Sequence, residues 1–111
     1  MTDTWSLERT GEGVSVQGEL DWENAAQVSK LMYEAAKDVE GPFTIDLSAV
    51  TFMDSSGISA LTRVIDVCPG TSIVIRSSRN TFAMLELAGM VKGDWPNVVV
   101  APPEEPADPA S

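Results

Sequence analysis

Between Asn24 and Val39 the apolar residues fall at positions 25, 28, 31, 32, 35, 36 and 39. That spacing draws one stripe along an amphipathic helix. Upstream the period shortens to two. "WSLER" alternates loosely, "TGEG" supplies a turn, and "VSVQG" sets Val14 and Val16 against Ser15 and Gln17. These two short strands with a glycine-bearing turn predict a hairpin. "GELDWEN" then closes the second strand, with Asp21 expected as the N-cap of the helix and Glu23 in its first turn. Gly41 and Pro42 stop that helix.

"FTIDL" predicts a strand, followed by a short link to "SSGISALTRVIDV", whose apolar positions 58, 61, 64 and 65, with Ala60 beside them, predict a second helix ended by "CPG". "TSIVIRS" is a β-branched run expected to be a strand buried on both faces. "NTFAMLELAGM" predicts a third helix with Phe82, Met84, Leu85 and Ala88 on its stripe and Gly89 as its C-terminal cap, and "NVVVA" a last strand. The order β-β-α-β-α-β-α-β implies an α/β fold. Its economical form is a mixed, mostly parallel central sheet opened by an N-terminal β-hairpin, with helices packed around it.

Length and composition narrow the picture. A chain of 111 residues suits one domain with one core. The last eleven residues, "APPEEPADPAS", carry four of the seven prolines and three acids. Such a segment buries too little apolar area to offset its ordering entropy. Residues 4–100 are therefore expected to fold, and 101–111 to form a disordered Pro-rich acidic tail. The net charge of −10 stays at −7 without the tail's acids, a sign that repels phosphate backbones and acidic lipid. Neither a nucleic-acid nor a membrane role is expected. No apolar run approaches the length of about 20 residues needed to span a bilayer, and "MTDTWSLERTGEG" has no signal-peptide character. A single cysteine, Cys68, permits no internal disulfide and fits a reducing, cytoplasmic setting.

The chain contains no histidine, which removes the commonest general base, the commonest metal ligand and every Ser-His or Cys-His pairing. No metal or cofactor is expected. "MDSSG" lacks the first glycine of a nucleophile elbow, no Gly-Lys pair makes a Walker loop, and "GEG" at 11–13 opens no helix. Asp46 and Asp54 read better as a solvated strand residue and a cap than as an acid pair. A hydrolase using Ser55 or Ser56 would need Lys30, Lys37 or Lys92 desolvated beside the serines, and none has that context. The chain is not expected to be an enzyme. Cys68 and the methionines Met32, Met53, Met84 and Met90 read as packing, and Trp5, Trp22 and Trp95 form no cage.

The stretch "FMDSSGISAL" (52–61) resists so plain a reading. Phe52 and Met53 look like packing. Asp54 or Ser55 can N-cap the second helix, an interaction worth about 1 kcal/mol. One cap is enough, which leaves Ser56 idle and Gly57 at a helix start, where glycine costs about 1 kcal/mol relative to Ala. Close approach of a partner to the backbone would explain that glycine. In open α/β sheets sites form at this edge, outside the carboxyl ends of the strands. On the residues alone, a functional serine and a cap with a spacer both remain open.

"FTIDLSAVTFMDSSGISAL" resembles the core signature of the STAS domain, the fold shared by sulfate transporters and anti-sigma factor antagonists. "GELD" (18–21) stands where that family has the tetrapeptide, before the first helix, and "MLELAGM" (84–90) is similar to its third-helix ending. In order, these pieces extend over residues 12–91. The D-S-S-G form resembles the anti-sigma antagonist branch, in which the second serine is phosphorylated. The resemblance implies Ser56 as phospho-acceptor, with Ser55 the second choice, and a partner surface formed by Asp21, Asp54, Ser55, Ser56, Gly57 and Ile58. It implies as partner an anti-sigma factor with a kinase-like ATPase fold, bound by the unphosphorylated protein and released after phosphorylation, with a serine phosphatase to reset it. The alternative with the same fold is a scaffold subunit of a larger stress-signalling or transport assembly. One departure concerns the helix after Gly57, which ends near Val67, shorter than the family shows, with only Arg63 and Asp66 charged on its outer face.

Overall fold

A computed structural model describes residues 4–91, 93 and 95–103. The hairpin is present as β1 (Trp5–Arg9) and β2 (Gly13–Leu20), antiparallel, with Leu7 opposite Val16. Its turn is closed by the Thr10 side chain, whose Oγ1 accepts from the Gly13 N–H at 3.0 Å. Then follow α1 (Ala25–Asp38), β3 (Phe43–Met53), α2 (Ser55–Val67), β4 (Ile73–Ser77), α3 (Arg79–Leu87) and β5 (Val98–Ala101). The five strands lie in the sheet in sequence order, and β2 to β5 are parallel neighbours.

That order dictates where the helices go. Parallel neighbours joined in one direction by right-handed crossovers place every connecting helix on the same face. Burial agrees. Val14, Ile45 and Ile75 stand side by side across the sheet and are fully buried, as are Phe43 and Ile73 one row away. The opposite face carries Ser15, Asp46 and Arg76 in register, none of them buried. The helices therefore cover one face, and the expectation that "TSIVIRS" is buried on both is corrected. Val74 is half-buried and Arg76 exposed. Period-two burial was hidden because β-branched residues serve either face of a strand equally well.

β3 differs from its expected strand-plus-link form, being one strand of eleven residues. Its first half, Phe43–Leu47, pairs with β4, and its second half, Ala49–Met53, continues alongside β2 alone. The carbonyls left over on the β4 side are taken by the start of α3. Ser78 Oγ donates to the Val50 carbonyl at 3.0 Å and Asn80 Nδ2 to that of Thr51 at 2.9 Å. Backbone acceptors that lose their ladder partner need such replacements. Two register irregularities against β2 break the alternation, so that Val50 and Met53 are buried while Thr51 and Phe52 both face out. Phe52 is thus an exposed side chain and not packing, whereas Met53 is core.

The helices follow their stripes with local corrections. α1 buries Val28, Met32, Ala35 and Ala36 and leaves Ala25, Leu31 and Val39 half-buried. α3 buries Thr81 and Leu85, half-buries Phe82 and Met84, and exposes Ala88. Ser78 caps α3 in a reciprocal box with Thr81. Gly89, at φ 80°, ends α3 as expected: its N–H donates to the Glu86 carbonyl and that of Met90 to Leu85, a Schellman closure. Of the expected tail 101–111, Ala101 is the last residue of β5, and residues 104–111 lie outside the described residues, as does Lys92.

The one-faced sheet predicts unequal costs for neighbouring valine and isoleucine truncations. Ile75→Ala is expected to lose about 2–5 kcal/mol in urea unfolding, and Val74→Ala less than half as much. Equal losses would restore the two-faced reading.

Candidate functional site

The last registered pair between β2 and β3 is Leu20 with Met53, and each is followed at once by an aspartate, Asp21 and Asp54. Two parallel strands ending level therefore bring the two carboxylates to one edge of the sheet. The Asp54 N–H extends the ladder by donating to the Leu20 carbonyl at 3.3 Å. Parallel pairing thus converts two distant sequence positions into one rim, where the helix-side crevice of an α/β sheet opens.

Asp54 is the N-cap of α2, as expected of that residue type. Its Oδ1 accepts from the N–H of Ser56 at 2.8 Å and, at the long limit, of Gly57 at 3.4 Å. Asp21 does not cap α1. Its Oδ1 accepts from the Glu23 N–H at 3.0 Å, forming a turn before the helix, and the cap position is Asn24. Asn24 is buried, with its Oδ1 accepting from the Asp21 N–H at 3.0 Å and its Nδ2 donating to the Glu19 carbonyl at 2.7 Å. The Asn24 side chain accepts from no N–H of α1; its acceptor and its donor are both spent on the preceding loop. It pins the β2–α1 loop, and with it Asp21, to the end of β2.

Gly57 has a different reason from the one its sequence context suggested. It is buried, and a Cβ on it would lie 2.4 Å from Met53 Cγ and 3.0 Å from Leu20 Cγ. What approaches it is the domain's own core, through the side chains of that same last strand pair. Gly57 is therefore a seat for α2 on the sheet and offers no face to a partner. Ile58, half-buried, packs at the edge of the same core.

With Asp54 capping and Gly57 seated, the two serines are left with no structural duty. Ser55 is exposed and Ser56 half-buried, and neither hydroxyl makes a hydrogen bond among the described residues. Their surroundings differ. Ser56 borders a groove of about 280 Å³ between the start of α1 and α2, together with Trp22, Ala25, Ser59 and Arg63, and Ser55 does not. Trp22, 73% exposed, forms its outer wall. The groove runs on along α1 and α2 into a wider one of about 550 Å³ that shares Ala26 and Arg63 and adds Lys30 and Tyr33. Ser59 is a rim residue that the sequence reading did not name, and Trp22 and Arg63 were named there without being placed at the rim. The i, i+3, i+7 spacing of 56, 59 and 63 was the available signal, since it puts all three on one helix face.

Other groups stay apart from this rim. Asp46 is engaged by Ser48, whose Oγ donates to it at 2.6 Å, and sits eight positions up the chain from Asp54, more than about 20 Å at strand rise. Lys37 lies over the Tyr33 ring, 5.2 Å from its centroid. A cavity of about 420 Å³ at the ends of β4 and β5 is lined by Arg76 and Arg79, but its serines are committed, Ser77 Oγ donating to the Ala101 carbonyl at 2.8 Å. Cys68 ends α2, and partial burial pushes its thiol pKa up, away from the reactive thiolate.

Comparison with known proteins accords with this architecture. Residues 5–100 match the family model described as Mlab, STAS domain. Among solved structures, the chain is similar to an anti-sigma factor antagonist from Mycobacterium paratuberculosis, 26% identical, with a TM-score of 0.70 over 86% of this chain and 84% of that one. The anti-sigma factor antagonist SpoIIAA in its unphosphorylated form aligns at 19% identity and a TM-score of 0.56, over 87% and 86% of the two chains. A sulfate transporter family protein from Wolinella succinogenes aligns at 18% identity and a TM-score of 0.63, over 86% and 80%. The latter two likenesses are of fold alone. No curated protein matches the chain.

The seating of α2 predicts a specific coupling. Gly57→Ala is expected to lose about 1–2 kcal/mol from overpacking, despite the better helix propensity of Ala. Its cost should shrink in a Met53→Ala background, where the clashing Cγ is gone. Equilibrium unfolding of the four chains in this cycle measures the coupling, and strict additivity would contradict the seat. Asp54→Ala should lose about 1 kcal/mol as a lost cap.

Proposed function

The chain belongs to the STAS-domain family, and on that premise we propose that it is an anti-sigma factor antagonist, a non-enzymatic partner switch of the cytoplasm regulated by phosphorylation of Ser56. The observation that carries this reading is the unemployed Ser56 hydroxyl, facing a groove at a helix start while Asp54 does the capping. A residue with no structural role at a crevice edge is a candidate for function. The likeness to the mycobacterial antagonist supports the class of partner, an anti-sigma factor.

The switch works as follows. Unphosphorylated, the rim of Asp21, Asp54, Ser55, Ser56 and Ile58 docks an anti-sigma factor of kinase-like ATPase fold, which then releases its sigma factor. Phosphorylation adds a charge of about −1.5 to −2 at Ser56. The fold tolerates it, because the first turn of a helix favours anions. The interface does not, since bulk and charge arrive beside Asp54 and Asp21, and the complex dissociates. A serine phosphatase restores the binding form.

A second reading keeps the fold and makes the chain a scaffold subunit of a larger stress-signalling or transport assembly. The family model that matches residues 5–100 is described as Mlab, and that description supports this reading.

Partner capture from lysate with wild type, Ser56→Ala and Ser56→Asp separates the two. The switch predicts an ATPase-fold partner retained by Ala and lost at least tenfold with Asp, and a phosphate mapped to Ser56 by mass spectrometry. Identical capture by all three chains favours the scaffold.

A further inference from the structure

The groove beside Ser56 contains one basic side chain. Arg63 lies seven residues further along α2, which is two turns and about 10 Å of rise on the same face. Helical side chains lean toward the N-terminus, so Arg63 reaches back in the direction of Ser56. It is exposed, and among the described residues it has no salt bridge. In a chain with 7 basic and 17 acidic residues, a cation on this groove is a selective placement. The backbone N–H groups of Ser56 and Gly57 are meanwhile engaged, since Asp54 accepts from both.

We propose, taking Ser56 as the phosphorylated residue of the reading above, that Arg63 is the internal receptor of the phosphoserine. A phosphate on Ser56 Oγ enters the space that Arg63 lines, and the guanidinium fork pairs with two of its oxygens. Trp22 lines that space on the α1 side. The consequence is a double change from one modification. Before phosphorylation Arg63 offers the groove a cation for a partner's carboxylate. Afterwards that cation is held within the domain, and the groove carries net negative charge. Release of the partner then reflects withdrawal of Arg63 as well as repulsion by the phosphate.

The test needs no partner and no kinase. Phosphoserine is installed at position 56 by semisynthesis in wild type, Arg63→Gln and Arg63→Lys, and the second phosphate pKa is read by phosphorus NMR. A neighbouring cation favours the dianion, so wild type should titrate lower than Arg63→Gln by about half a unit or more, with Arg63→Lys between them. In wild type the Arg63 Nε–H resonance should move with the same titration. Equal pKa values in the three chains, with an Arg63 resonance indifferent to pH, would overturn the pairing. Because the phosphate is installed chemically, that failure leaves the partner switch standing. Conversely, a lowered pKa in a protein whose partner ignores Ser56 keeps the pairing and removes the switch.

Discussion

Everything at the functional edge depends on how α2 is seated on the ends of β2 and β3. Leu20 and Met53 are the last registered pair of those strands, and Gly57 rests on both of their side chains with no room for a methyl group. That contact fixes the height and rotation of the helix start. Ser56, one residue earlier, is thereby turned toward α1 and the groove. Asp54 closes the same unit from the other side, donating its N–H to the Leu20 carbonyl and accepting from the first N–H groups of the helix. Strand register, glycine and cap act as one joint, and the serines ride on it.

The joint also shows how the modification proposed for Ser56 would leave the fold intact. The helix is held by its buried side, through Gly57, Leu61 and Val64, and by a cap that uses Asp54 and not a serine. The serine hydroxyls are left without a structural bond among the described residues. Had Ser55 or Ser56 been the cap, phosphorylation would break the interaction that starts the helix. Assigning the cap to an aspartate leaves both serine hydroxyls out of the bonds that start the helix.

Much of the fold was legible because its elements are strongly patterned. The stripe of α1, the stop at Gly41 and Pro42, and the Schellman ending at Gly89 all follow from local rules. What misled were positions where distant parts of the chain decide. β3 continues past its partner strand because Ser78 and Asn80, about thirty residues on, supply its missing donors. Phe52 points outward because an irregularity against β2 breaks the alternation. Asp21 is not the cap residue of α1, because the turn it starts runs on to Asn24, which is held by a bond to Glu19 that only the folded loop creates. Gly57 is the instructive case. Its cost to the helix was visible, but sequence could not say whether a partner or the core approached it. The groove was harder still, because Trp22 and Arg63 line one groove only when α1 packs beside α2.

Modification of Ser56, as proposed, acts at the surface of a joint that stays intact. Native-state hydrogen exchange on the unmodified and the chemically phosphorylated proteins tests this most directly. The account predicts that amides of β3 and of α2 beyond its first turn keep their protection, with any gain confined to the start of α2. Loss of protection along α2, or at Leu20 and Met53, would contradict it, because phosphorylation would then unseat the helix and not merely change the face it presents.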